Sequence, residues 1–206
     1  MSVPHYWTKG KRELSKKDPV IKLLITQFNK ENLKIKNSPY KTLINSIIGQ
    51  QISVKAADSV RKKFYTQYKP ISPANIAGIN IRTLQKAGLS KQKTQYIKNI
   101  SNYFLDTKST ARKFSNMSDQ EIINELTTIK GVGVWTAEMF LIFALGRPNV
   151  LPVQDLGLIK AISLSYKKGK KVSATDLKKL SNKWSPYSTI ATWYLWRSLD
   201  PGPVNY

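Results

Sequence analysis

Apolar residues recur along this chain at three- and four-residue spacing rather than in alternation, the periodicity of helices that bury one face. Val20, Ile21, Leu23, Leu24 and Phe28 follow Asp18-Pro19, which supplies an N-cap and a first-turn proline. Ser38-Pro39 stands in the same way before Tyr40, Leu43, Ile44, Ile47 and Ile48. Ser53 is placed to cap a helix through Val54, Ala57, Val60 and Phe64, whose outer face carries Lys55, Arg61, Lys62 and Lys63. Gly88 is a natural stop, and Ser90 opens a helix holding Tyr96, Ile97, Ile100, Tyr103 and Phe104. Ser118 and Glu121 have capping-box spacing ahead of Ile122, Ile123 and Leu126. Trp184-Ser185-Pro186 breaks the chain before a last helix containing Trp193, Tyr194, Leu195 and Trp196. No alternating strand pair with a hairpin signal occurs, so the pattern predicts an all-α fold of roughly nine or ten helices.

Composition narrows what such a fold can do. The 206 residues suffice for one large domain or two small ones sharing a cleft. Hydrophobic residues are 41%, which supports a packed core and excludes wholesale disorder. Thirty-four Lys and Arg against 12 Asp and Glu leave a net charge of +22, a field that attracts polyanions. Nucleic acid is the first partner class, an anionic membrane surface the second, and a basic compositional background the bland alternative. The basic residues are not gathered on one amphipathic segment, which weakens the membrane reading.

Cysteine is absent, which removes disulfides, thiol catalysis, zinc–thiolate sites and iron–sulfur clusters. The single histidine, His5, cannot supply a His-based metal site or triad. Apolar runs fall well short of about 18 residues, so no membrane span is expected. The stretch Met1 to Trp7 has no apolar signal core. The expected location is cytoplasmic and nucleoid-associated, or nuclear in a eukaryote.

The richest segment runs from Leu126 through Lys130-Gly131-Val132-Gly133 to Trp135-Thr136-Ala137 and on to Asp155. Two glycines bracket one residue between two predicted helices, where a left-handed turn and close backbone approach are possible. Amides at the start of the second helix then form an anion site, to which Lys130 adds a full charge. An ordinary helix–helix turn is the competing reading. Asp155 follows the extended Leu151-Pro152-Val153-Gln154 and precedes Leu156, Leu158 and Ile159, the place of an N-cap. Capping and chemistry are compatible, because a capping carboxylate is held ionised and oriented.

The order of motifs resembles the helix-hairpin-helix (HhH-GPD) DNA glycosylases, and within them the DNA-3-methyladenine glycosylase II branch in a compact form. The resemblance rests on Leu-x-x-Ile-Lys-Gly-Val-Gly-x-Trp-Thr-Ala-Glu-Met followed by Leu151-Pro152-Val153-Gln154-Asp155-Leu156-Gly157. It also rests on Ile47-Ile48-Gly49-Gln50-Gln51-Ile52-Ser53 with Ala56-Ala57, and on Trp184-Ser185-Pro186-Tyr187 leading to Tyr194-Leu195-Trp196. Gly88-Leu89-Ser90-x-x-Lys93 and Tyr6-Trp7 with Asp18-Pro19 agree, so the match covers nearly the whole chain.

By that resemblance Asp155 is the catalytic aspartate, stabilising positive charge on the sugar or guiding water to C1′. Trp135 stands where strand-cutting relatives carry a Schiff-base lysine, which implies a monofunctional enzyme without lyase activity. Trp135, Trp196 and Met139 would form the base pocket, the indoles favouring a cationic base. Gln51 or the neighbouring Ile52 would be the wedge that fills the gap left by the flipped nucleotide. Lys130, Gly131, Val132 and Gly133 would bind a DNA phosphate. Carbonyls of Thr127, Ile129 and Val132 would hold a structural monovalent cation, Na⁺ or K⁺, with no cofactor required.

The implied architecture is two helical subdomains flanking a cleft. One spans residues 36–147 and contains the wedge and a helix-hairpin-helix at 126–145; the other joins 1–35 to 148–206, with Asp155 at the junction. The expected substrate is double-stranded DNA containing damaged bases, acted on by a monomer. The competing functions are the same fold acting on ethenoadenine, oxidised purine or uracil, and a non-catalytic helix-hairpin-helix DNA-binding module.

Overall fold

The computed structural model describes residues 2–35, 38–107 and 111–200. Among these residues the regular structure is helical, with one isolated bridge between Ser2 and Ile35. Thirteen helices are present among the described residues, more than the periodicity suggests. Those whose positions the periodicity does not mark are α1 (Trp7–Lys17), α12 (Ala174–Trp184) and three short helices, α5 (Pro73–Gly78), α6 (Ile81–Gln85) and α8 (Ala111–Ser115). Short helices complete too few turns for a stripe to show. Helices α1 and α12 are rich in lysine and bury only Trp7, Gly10 and Leu14, and Leu180 and Trp184.

The chain forms two compact units, one of Met1–Lys36 with Leu141–Asn205, the other Asn37–Phe140. The crossing back lies at Phe140, not at residue 147 as the sequence suggested. Residues just after it pack within the discontinuous unit: Phe143 stacks on Trp196 with centroids 6.0 Å apart, and the Arg147 amide bonds the Leu141 carbonyl at 2.9 Å.

In the central unit, α3 (Pro39–Gly49), α5 and α6 pack on α7 (Lys91–Asp106), whose buried face is Thr94, Ile97, Ile100, Ser101 and Phe104. Ser53 caps α4 (Val54–Gln67), Ser90 caps α7, and Ser118 with Glu121 closes the capping box of α9 (Asp119–Thr127). Ser38 occupies the N-cap of α3 but makes no side-chain cap bond; Pro39 at the first turn has no amide hydrogen to satisfy. Lys98 Nζ donates to the carbonyls of Ala77 and Ile79 at 2.6 and 2.7 Å, closing the end of α5.

In the discontinuous unit, α2 (Pro19–Gln27) and α11 (Leu156–Lys167) pack on the aromatic-rich α13 (Ser188–Leu199). Its keystone is Asp18, fully buried. One carboxylate oxygen caps α2 through the amides of Val20 and Ile21, while the other accepts the Trp184 indole at 2.9 Å and the Tyr166 hydroxyl at 3.0 Å, with Lys183 at 3.1 Å. Burial pushes the Asp18 carboxyl up, but bonds from Trp184, Lys183, Tyr166 and Ile21 outweigh it and hold the group below the usual range.

Candidate active site

Asp155 sits one residue before α11, as its N-cap, half-buried. Its Oδ1 accepts the Leu158 amide at 2.6 Å and the Trp196 indole N–H at 2.8 Å. Two donors on one oxygen, one of them at a helix N-terminus, fix the orientation of the carboxylate. Gly157 keeps the space open: a Cβ there would lie 3.1 Å from Asp155 Oδ1 and 3.6 Å from the Trp196 ring. Trp196, 9% exposed, is fixed on its other side by Phe143. The sequence motifs placed these two residues 41 positions apart, and the fold joins them directly.

In the central unit, α9 ends at Thr127 and α10 (Val134–Phe143) begins after a turn. Gly131 takes φ +105° at that turn, a conformation that β-carbon-bearing residues rarely adopt. A Cβ there would also strike the Tyr96 ring at 2.1 Å. Gly133 is different. Its φ is not positive, and a Cβ would meet nothing within 4 Å, so that glycine leaves an open approach rather than enabling the turn. Gly133 and Lys130 are exposed beside the first amides of α10, the geometry of an anion-binding helix start.

Carbonyls of the turn divide into two groups. Asn99 Nδ2 donates to the Lys130 carbonyl at 2.9 Å, and Gln50 Nε2 donates to Gly131 at 3.4 Å. The Ile129 carbonyl accepts the Val132 amide at 2.9 Å and retains a second lone pair. Oxygen donors of this kind, from Thr127, Ile129 and Val132, suit an alkali-metal ion. Among the described residues no cluster of three or more His, Asp or Glu could hold a metal ion.

Trp135 is half-buried at the start of α10. Met139 is 0% exposed, so its side chain is enclosed within the protein and does not line an open pocket. Helix α10 carries apolar residues all around, with only Thr136 and Glu138 polar, so its periodicity does not show which of its residues are accessible. Gln51 and Ile52 are both exposed in the connection from α3 to α4, Ile52 at 40%. Gln51 has φ +56°, an uncommon conformation for a non-glycine residue. Gln50 behaves otherwise: its side chain donates to Thr136 Oγ1 at 3.0 Å, and its carbonyl accepts Lys93 Nζ at 2.7 Å. Sequence reasoning assigned no role to Lys93 or Asn99; the motif Gly88-Leu89-Ser90-x-x-Lys93 marked the lysine without revealing its partners.

The profile of the HhH-GPD superfamily base excision DNA repair proteins matches residues 44–186, which include the turn, Trp135 and Asp155. The chain belongs to this family. An alkylbase DNA glycosidase-like protein of Schizosaccharomyces pombe is 33% identical over 166 residues, covering 78% of this chain and 78% of the relative. DNA-3-methyladenine glycosylase 1 of the same organism is 32% identical over 174 residues, covering 79% and 73%. The solved structure of the Schizosaccharomyces pombe 3-methyladenine DNA glycosylase in complex with abasic DNA superposes with a TM-score of 0.83 at 29% identity, covering 92% of this chain and 96% of that one. As an HhH-GPD protein the chain is a base excision DNA repair protein of all-helical fold. Among the described residues no helix is long and apolar enough to cross a membrane.

Proposed function

We propose that this HhH-GPD protein is a monofunctional DNA glycosylase that excises alkylated purines, chiefly 3-methyladenine, from duplex DNA. The observation that carries the reading is the Asp155 carboxylate, held by the Leu158 amide and the Trp196 indole in a chain of this family. The C1′–N bond of an alkylated purine breaks with its electron pair leaving on the already cationic base. Asp155 stabilises the positive charge that develops on the sugar, or guides the water that adds to C1′. No strong general acid is needed, which suits a chain with 12 carboxylates and one histidine.

Trp135 in the central unit and Trp196 in the discontinuous unit are each electron-rich indoles of the kind on which a cationic base stacks after it leaves the duplex. A tryptophan at position 135 cannot form a Schiff base, so the product is an intact strand with an abasic site. In the central unit Lys130, Gly131, Val132 and Gly133 hold a phosphate, and Gln51 or Ile52 enters the duplex. Na⁺ or K⁺ on the carbonyls of Thr127, Ile129 and Val132 adds charge at that phosphate; replacing alkali ions by choline at constant ionic strength should then weaken duplex binding. The partner is double-stranded DNA carrying damaged bases, met by a monomer in the compartment that holds the genome.

The test is base release from methylated duplex DNA, resolved by product, for wild type and Asp155→Asn. Release of 3-methyladenine, with strand breaks only after alkali, is expected from wild type alone. Salt-dependent binding without release of any base would establish a non-catalytic DNA-binding module instead.

A further inference from the structure

The two elements assigned to grip the duplex are the α3–α4 loop at Gln50 to Ser53 and the turn at Lys130 to Gly133. Both are fastened to one helix, α7, at three positions spaced three residues apart, Lys93, Tyr96 and Asn99. Lys93 Nζ donates to the carbonyls of Ile48 and Gln50 at 2.8 and 2.7 Å, closing the C-terminal end of α3 where the loop departs. Tyr96 lies against Gly131, and its hydroxyl is held by Gln92 at 2.6 Å. Asn99 Nδ2 donates to the Lys130 carbonyl at 2.9 Å. Gln50 then crosses between the loop and the turn, donating to Thr136 Oγ1 at 3.0 Å and Gly131 O at 3.4 Å.

Two features set this apart from ordinary core closure. The fastening groups are polar side chains half-withdrawn from water, and burial pushes the Lys93 ammonium below the usual lysine range. That desolvation cost is offset by two carbonyls at a helix C-terminus, where a cation is favoured. The backbone immediately beyond them is also locally unfavourable. Gln51 holds φ +56° next to the carbonyl that Lys93 grips, a conformation that persists only where its surroundings enforce it.

We infer that Lys93, Asn99 and Gln50 are positioning residues that lock the duplex-entering loop and the phosphate-binding turn into one reading head on α7. Everting a nucleotide requires the phosphate to be held while the loop fills the vacated space, and a fixed spacing between the two makes these a single event. None of the three is assigned to touch the reacting atoms. The inference rests on the assignment of Gln51 or Ile52 as the wedge.

The experiment compares single-turnover base release from two duplexes carrying one 7-methylguanine, paired with cytosine or facing a tetrahydrofuran abasic analogue. In the second the target base has no partner to leave. Lys93→Met should slow release from the paired duplex about tenfold or more, the scale of a charge-assisted hydrogen bond. On the unpaired duplex it should stay within about twofold of wild type. Lys93→Arg should recover most of the loss, and Lys93→Met with Gln50→Ala should be no worse than either alone, because both cut one link. Equal losses on the two duplexes, or additive losses, would overturn the inference in favour of plain packing. If Lys93→Met does not fold, Gln50→Ala and Asn99→Ala carry the same comparison. The fluorescence of 2-aminopurine beside the target, read in Asp155→Asn, follows eversion without chemistry. A wild type that releases no base but still unstacks the reporter would sink the glycosylase reading while leaving this coupling measurable; loss of that signal in Lys93→Met would support it, and an unchanged signal would refute it.

Discussion

The Trp196 indole N–H donates to Asp155 Oδ1 at 2.8 Å, on the oxygen that also accepts the Leu158 amide. An aromatic side chain of the last helix therefore orients the carboxylate at the start of α11. Trp196→Phe keeps an aromatic face but removes the donor. Base release should fall about tenfold, mostly in kcat, because one positioning hydrogen bond is gone. A loss confined to KM would show that Trp196 serves binding only.

Asp155 serves both as helix cap and as proposed reacting carboxylate, and two substitutions separate the roles. Asparagine is as good an N-cap as aspartate, whereas alanine is not. Asp155→Asn should retain the wild-type melting temperature and duplex affinity while base release falls by about 10²–10³. Asp155→Ala should lose the activity and, in addition, about 1 kcal/mol of stability. Thermal melts beside single-turnover assays check this; an Asn variant that melts early would make the cap the dominant role.

At Gly131 the positive φ and the overlying Tyr96 ring both exclude a β-carbon. Gly131→Ala should cost about 1–3 kcal/mol and weaken duplex binding. Gly133→Ala has room in the free protein, so its stability should be unchanged while affinity for DNA drops. Chemical denaturation paired with binding isotherms separates the two glycines.

Asp18 carries the clearest acid dependence. Its hydrogen bonds hold its folded pKa below the ordinary value of an unfolded aspartate, about 3.9, so folding is favoured by the charged form. That stabilisation is complete above the unfolded pKa and is lost as the pH falls through the lower folded value. Wild type should therefore lose stability on acidification below about pH 4. Asp18→Asn should be less stable at neutral pH by about 1–3 kcal/mol and have a flatter acid limb. Identical acid limbs would refute the assignment.

The caps and periodic faces were legible because they are local. Asp18, Ser53, Ser90 and Asp155 each accept an amide two or three residues ahead, a bond that sequence spacing dictates. Met139 illustrates the limit: in a helix whose apolar residues lie on every side, their order does not say which side is enclosed. Gln50 and Gln51 illustrate another, since adjacent identical side chains take opposite parts, one anchored to Thr136 and the other exposed.

The sequence by itself determined the helical class, most helix starts, the glycine at the turn and the aspartate at the head of α11. These follow from backbone sterics and from hydrogen bonds that close within one helical turn. Only the tertiary structure decided that Trp196 reaches Asp155 across 41 positions, that Lys93 closes α3 across 43 and 45, and that Gln50 meets Thr136 across 86. Those pairings depend on how helices pack, and packing is set by the combined shape of many buried side chains rather than by any local spacing.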